Sequence, residues 1–196
     1  MTEPQAYIFV GRSGAGKGTQ AELLINHLKR SNPDRPVVGM ETGRYFRELI
    51  KQPTYSGQLA KAVSDSGDLP SSFIPIHLWS NFLLNNLKGG EHLIFDGTPR
   101  SLIEAEALDT ALNFYRYPKP LVILLDVSVE RAKERLLSRQ RHDDSEQGIA
   151  KRLAWYESDV VPAIKYYENR PNYRLVRIDG NQTVETIHDE IVKNGC

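Results

Sequence analysis

The sequence predicts an α/β fold: one domain in three layers, with a central parallel sheet of five strands and helices on both faces. Three observations carry that expectation. Five short apolar runs alternate with longer stretches of helical periodicity along the 196 residues. The run Leu121-Val122-Ile123-Leu124-Leu125-Asp126 is apolar up to its last residue, the pattern of a strand covered on both faces at the middle of a parallel sheet. The first run, Ala6-Tyr7-Ile8-Phe9-Val10, leads through a glycine-rich loop directly into a helical pattern over 20–29, the start of a strand–loop–helix unit. The length suits one domain with a sizeable core and small insertions.

In chain order, Asn32-Pro33-Asp34-Arg35-Pro36 breaks the first helix, and Val37-Val38-Gly39-Met40 reads as the second strand. Glu41-Thr42-Gly43 reads as a turn before a helix over 44–51 that ends at Pro53. A helix over 56–66 is closed by Gly67, and Pro70-Ser71-Ser72 opens another that runs to about residue 86. The stretch 42–87 is therefore helical throughout, longer than an ordinary crossover, and reads as an inserted helical unit. His92-Leu93-Ile94-Phe95-Asp96 is the third strand, followed by a helix over 101–115 in which Ser101 and Glu104 form a capping box. After the Leu121 strand, Ser128 caps a helix to 138, and 139–145 is a polar loop. A long helical stretch to about 167 contains Pro162, which implies a kink or break. Residues 173–179 form the last strand and 183–193 the last helix. The core is thus 1–41, 88–138 and 146–196.

The formal net charge is zero, so no global basic field points to nucleic acid or a membrane surface, and any anion site must be built locally. The one cysteine is Cys196, which rules out internal disulfides and cysteine-based zinc sites. The five histidines lack zinc-ligand spacing. No apolar run reaches membrane-spanning length, and the N-terminus lacks a basic and apolar leader pattern, so the expected compartment is the cytoplasm.

Gly11-Arg12-Ser13-Gly14-Ala15-Gly16-Lys17-Gly18-Thr19 has the G-x-x-x-x-G-K arrangement. Its glycines let successive N–H groups turn inward on an anion, the helix adds the positive end of its dipole, and Lys17 brings a mobile charge to the β- and γ-phosphates. The expected fold is therefore of the P-loop NTPase type, with Gly14, Ala15, Gly16, Lys17, Gly18 and Thr19 as ATP-binding residues. Gly18 stands where a metal-ligating Ser or Thr usually follows the lysine, so the hydroxyl is displaced to Thr19. Asp96, at the end of an apolar strand, is placed to organise Mg²⁺ directly or through water. Arg44, Arg47, Arg100, Arg135, Arg139, Arg141 and Arg152 fall in the turns and helix ends where open α/β sheets bind ligands. Several guanidinium forks suit a site for two phosphate chains. Nothing argues for a covalent nucleophile.

These stretches resemble the adenylate kinase and nucleoside monophosphate kinase family over nearly the whole chain. The resemblance rests on the 11–20 loop, Thr42-Gly43 with Arg47, Asp96-Gly97-Thr98-Pro99-Arg100, Arg135 with Arg139, Arg141-His142-Asp143-Asp144, Lys151-Arg152-Leu153 and Ile178-Asp179-Gly180, in that order. It implies reversible transfer of the γ-phosphoryl group of ATP to AMP with Mg²⁺ and no zinc, by a monomer whose partners are small nucleotides. The 42–87 insertion would hold the acceptor monophosphate and 139–145 would be a short lid. Thr42, Gly43 and Gly97 would line the acceptor, with Arg47 and Arg100 on its phosphate. Arg135 would stack on the donor adenine beside the Gln182 backbone. Lys17, Arg100, Arg139, Arg141 and Arg152 would form the catalytic set, with Arg141 and Arg152 also reaching the acceptor, and Asp96 would hold Mg²⁺ through water.

Three positions depart from the family pattern: Arg44 replaces an Asp, Thr98 replaces an aromatic residue, and Glu104 replaces a Gln that reads adenine. An ionised carboxylate only accepts hydrogen bonds, which suits guanine N1–H and N2–H₂ better than adenine. Thr42 favours AMP, and a structural capping role for Glu104 stands beside the base-reading one. GMP or another monophosphate is the alternative acceptor. A P-loop ATPase or GTPase and a non-catalytic nucleotide binder are the further alternatives, the first disfavoured by Gly18.

Overall fold

The computed structural model describes residues 3–139 and 145–195. The five strands are β1 (Ala6–Gly11), β2 (Val37–Glu41), β3 (His92–Asp96), β4 (Leu121–Asp126) and β5 (Arg174–Asp179). They form one sheet in the order β2-β3-β1-β4-β5, with every pair parallel. The chain leaves β1 toward the β2 edge, and after β3 it crosses to the β4 side. The resulting switch point opens a crevice at the C-terminal ends of β1 and β3. Both strand ends that carry the chemistry, Gly11 and Asp96, border it.

Strand periodicity divides the core in two. Ile8, Val10, Leu93, Phe95, Val122 and Leu124 are buried against α4 (Phe73–Asn86), α5 (Leu102–Phe114) and α8 (Val161–Glu168). Tyr7, Phe9, Ile94, Ile123 and Leu125 are buried on the opposite face against α1 (Lys17–Ser31) and α9 (Val184–Gly195), through Leu24, Leu28, Ile187 and Ile191. The three-layer α/β arrangement of five parallel strands is the one expected from the alternation of apolar runs.

Between β2 and β3 lie α2 (Thr42–Leu49), α3 (Tyr55–Ser66) and α4. One local expectation differs from the structure. Thr42 is the first residue of α2 and no part of a turn, because β2 runs straight into the helix at Glu41. Pro162 does mark a break in the long helical stretch. It stands in the first turn of α8, where its missing N–H costs nothing, and the register change is taken up before it by a π-helical turn over Tyr156–Val160 that joins α8 to α7 (Glu146–Trp155). The remaining helix, α6 (Val129–Arg139), begins with Ser128 Oγ accepting from Arg131 N at 3.2 Å.

Candidate active site

The 12–16 loop leaves β1 and closes on α1, whose first residue is Lys17. Gly16 precedes the helix without a side-chain cap, so the first-turn N–H groups face the loop and are open to an anion. Gly14 has φ +85°, and a Cβ there would lie 2.5 Å from the Ala132 carbonyl oxygen of α6. Only glycine allows that backbone conformation and that approach together. Lys17 Nζ donates to the carbonyls of Gly11 and Arg12, at 2.8 Å each, which folds the ammonium back over the loop. Burial lowers its pKa to about 8; Asp96 opposes that shift, and Arg100 and Arg139 add to it.

The glycine after Lys17 has a physical reason. A Cβ on Gly18 would stand 3.0 Å from Asp96 Oδ2, so the bare helix start is what lets the carboxylate sit beside the loop. Thr19 is exposed on the same turn. Among the described residues no group of three or more His, Cys, Asp or Glu side chains is placed to hold a metal by itself. A single carboxylate at the mouth of a phosphate loop instead fits a hard cation that takes most of its ligands from water and phosphate oxygens.

On the other side of the crevice, Arg100 Nε donates to Gly97 O at 2.8 Å. Burial draws its guanidinium below the usual arginine range; Glu104 and Asp96 counter this, while Arg152 and Arg47 reinforce it. Arg47 Nη2 pairs with Glu41 Oε1 at 2.6 Å. A side chain on Gly43 would run 3.1 Å from the Arg47 guanidinium and 3.9 Å from that of Arg100, so both cations converge on the start of α2. Arg152, on α7, is buried near them. The guanidiniums press on each other through a low-dielectric space, an arrangement that polyvalent anions relieve.

Beside this cluster lies a pocket lined by Thr42, Gly43, Phe46, Leu69, Pro70, Pro75, Leu78, Gly97, Arg100 and Glu104. Phe46, Leu69, Pro70, Pro75 and Leu78 make much of its wall apolar. Thr42 is only 4% exposed, and its hydroxyl has no hydrogen-bond partner. Glu104 is 1% exposed. Its Oε2 accepts from Thr98 Oγ1 at 2.6 Å and from Arg100 N at 3.2 Å. The capping box is half formed: Glu104 N donates to Ser101 Oγ at 3.3 Å, but the carboxylate turns to Thr98 and Arg100 instead of back to the Ser101 amide. Burial raises the Glu104 pKa against the opposing pull of the Thr98 hydrogen bond and the Arg100 charge.

The crevice thus gathers Gly14, Ala15, Gly16, Lys17 and Gly18 with Asp96 on one side, and Thr42, Gly43, Arg47, Gly97, Arg100, Glu104 and Arg152 on the other. Arg135 reaches the loop from α6, its Nη1 donating to Ala15 O at 3.4 Å, and Arg139 is exposed at the end of that helix. Gln182 lies in the turn after β5, with Nε2 donating to Glu190 Oε1 at 2.9 Å. Arg141 and most of the 139–145 loop lie outside the described residues. Arg44 is exposed over the Tyr45 ring at 4.8 Å and does not reach the pocket lining. One residue was not legible as part of the site. Arg12 Nε donates to Val127 O at 3.3 Å, its guanidinium pairs with Glu157 at 2.9 Å, and it lies 4.1 Å over the Tyr156 ring. It ties the loop to the π-helical turn, a bond between distant segments with no local sequence signal.

Comparison with known proteins agrees with this geometry. A family model described as "Adenylate kinase" matches residues 9–172. The chain is 35% identical to an adenylate kinase of Synechococcus sp. (strain RCC307), over 94% of each chain. It is 35% identical to one of Prochlorococcus marinus (strain MIT 9313), over 98% of this chain and 99% of that one. It is 36% identical to one of Cyanothece sp. (strain PCC 7425 / ATCC 29141), over 94% and 91%. A glycine-rich loop facing the cluster of Arg47, Arg100 and Arg152 across the switch point, carried on a chain that matches these relatives over nearly its whole length, places the protein in the adenylate kinase family.

Proposed function

We propose that the protein transfers the γ-phosphoryl group of ATP to AMP and runs the reverse reaction, ATP + AMP = 2 ADP. The observation that carries this is the pair of anion-receiving clusters facing one crevice: the loop with Lys17, and Arg47 with Arg100 beside a partly apolar pocket. The loop and Lys17 hold the ATP phosphates, with Arg135 and the Gln182 turn by the donor base. Arg47 and Arg100 hold the acceptor phosphate, and Thr42, Gly43, Gly97 and Glu104 line its base. Arg139, Arg141 and Arg152 neutralise the phosphoryl group in flight. Residues 42–87 act as the acceptor unit, and 139–145 as a short lid that excludes water. Asp96 holds Mg²⁺ through water, and the cation supplies charge neutralisation on the phosphates. The acting unit is a cytoplasmic monomer, supported by both half-sites coming from one chain.

The test supplies ATP and Mg²⁺ with AMP, GMP, CMP or UMP in turn and measures ADP. AMP-dependent ADP formation is expected. Phosphate release independent of any acceptor would make the protein an ATPase, and binding without turnover would make it a nucleotide sensor.

A further inference from the structure

The guanidinium of Arg12 joins three segments of the chain. Its Nε donates to Val127 O, just past β4, its Nη2 pairs with Glu157 Oε1, and its Cζ lies over the Tyr156 ring. The side chain is only 17% exposed, so these contacts are made largely out of water. Tyr156 and Glu157 open the π-helical turn, and the same stretch borders the crevice. A pocket between the two half-sites is lined by Gly11, Ser13 and Lys17 from the loop, by Trp155 just before the turn and Val160 at its end, and by Arg100 from across. The residues that flank Arg12 in sequence and those that flank its two grips therefore face one space. Lys17 Nζ rests on the carbonyls of Gly11 and Arg12, so the backbone that Arg12 anchors is the backbone that holds the ammonium. On the other side, Arg152 stands about one turn before Trp155 on α7, buried and close enough to Arg100 to act on its charge.

We propose that Arg12 is a positioning residue for phosphoryl transfer: it clamps the phosphate loop to the π-helical turn and so fixes how far Lys17 stands from Arg152 across the crevice. This rests on the kinase reading above. In-line transfer between two bound nucleotides is a matter of placement, and a misplacement of about 1 Å costs about 100-fold in rate. The loop carries glycines at 11, 14, 16 and 18, so it has few side chains of its own with which to resist displacement. The turn is a firm partner, because Tyr156 and Val160 are buried in the same core cluster as Val10 at the end of β1. Arginine suits the position: its planar fork gives a donor to Val127, a charge to Glu157 and a face to Tyr156 at once. A lysine ammonium is a single point of charge with no plane to stack. Arg12 acts through the loop and the turn, with its guanidinium held by protein groups.

The experiment compares Arg12→Ala, Arg12→Lys, Tyr156→Leu and Glu157→Ala with the wild type. It measures single-turnover ADP formation from ATP, AMP and Mg²⁺, the KM for AMP, and the melting temperature. Single turnovers read transfer apart from product release. Arg12→Ala is expected to slow transfer by about 10- to 100-fold while the KM for AMP stays within about twofold. Arg12→Lys should bring the melting temperature back to the wild-type value yet leave transfer about fivefold slow or worse, because charge alone does not rebuild the clamp. Tyr156→Leu should cost about tenfold, and Arg12→Ala combined with it should be no slower than Arg12→Ala alone. Wild-type transfer in Arg12→Ala overturns the proposal. So does a loss of transfer that follows the melting temperature and is fully restored by Arg12→Lys. Where Arg12→Ala does not fold, the other two variants carry the test: Glu157 is 64% exposed, so its truncation leaves folding intact, and unchanged transfer in both Glu157→Ala and Tyr156→Leu overturns the clamp equally. A wild-type protein that forms no AMP-dependent ADP would overturn the kinase reading and the clamp with it, whereas normal wild-type turnover with an unaffected Arg12→Ala overturns the clamp alone.

Discussion

The two halves of the crevice are built in different ways. The half we assign to the donor is contiguous: residues 11–19 run from strand to helix, and what shapes them is backbone, a positive φ at Gly14 and a cap-less helix start at Gly16 and Lys17. The half we assign to the acceptor is assembled from afar. Thr42 and Gly43 come from α2, Pro70 and Pro75 from the approach to α4 and its first turn, and Thr98, Arg100 and Glu104 from the β3–α5 connection. A backbone-built anion cradle tolerates little change and specifies only "phosphate". A side-chain-built pocket depends instead on contacts such as the one between Thr98 and Glu104, each of which a single substitution can remove while leaving the strands and helices that carry it in place.

The largest effects should separate the halves. Lys17→Ala is expected to lower turnover by about 10²–10³, since it removes a preorganised charge from the transferring phosphates, while leaving the KM for the acceptor nearly unchanged. Arg100→Ala is expected to do the converse and raise the acceptor KM by about 100-fold, the cost of removing one member of a buried charged pair. A Lys17→Ala enzyme with near-normal turnover would break the assignment of the donor half. Lys17 also gives that half a pH limit. Burial holds its pKa to about 8, so the free enzyme loses the ammonium, and with it ATP affinity, as pH rises through that value. The kcat/KM for ATP should decline above pH 8, and kcat should hold to higher pH because bound phosphates keep the proton on.

Gly18→Ala should have a smaller effect. The added Cβ would meet Asp96 Oδ2 at 3.0 Å, so the carboxylate must shift by a few tenths of an ångström. A displacement of that size is expected to cost about three- to tenfold in kcat and to raise the Mg²⁺ requirement, with the acceptor KM unmoved. An equal effect on acceptor binding would mean that Asp96 serves both halves.

Legibility in the sequence follows the same division. The sheet and the phosphate loop are readable because strand alternation, turn chemistry and the G-x-x-x-x-G-K spacing are local. Gly18 was visible as an anomaly, but its cause, the Asp96 carboxylate packed over it, lies in another strand. Ser101 announced a helix start correctly, yet Glu104 did not complete the box, because its Oε2 is held by the Thr98 hydroxyl and the Arg100 amide. Pro162 marked a discontinuity without revealing that a π-helical turn would absorb it. Arg12 carried no signal, since its partners Val127, Tyr156 and Glu157 are neighbours only in the folded chain.

The smallest expected effect tests whether the halves are mechanically coupled. The connection between α3 and α4 reaches across to α7, where Lys151 Nζ meets Asp68 Oδ1 at 2.8 Å and Trp155 Nε1 donates to Gly67 O at 3.4 Å. Both charged side chains are about half exposed, so the pair contributes little to stability, and salt screens it. It nevertheless joins the segment that carries Thr42 to the helix that carries Arg152. Lys151→Ala and Asp68→Ala should each raise the acceptor KM by less than about fivefold. The double variant should be no worse than either single one if the contact forms only as the crevice closes on nucleotide. The difference from wild type should vanish in high salt. Additive losses that persist in salt would show instead that the two residues act separately, and that the halves close without this contact.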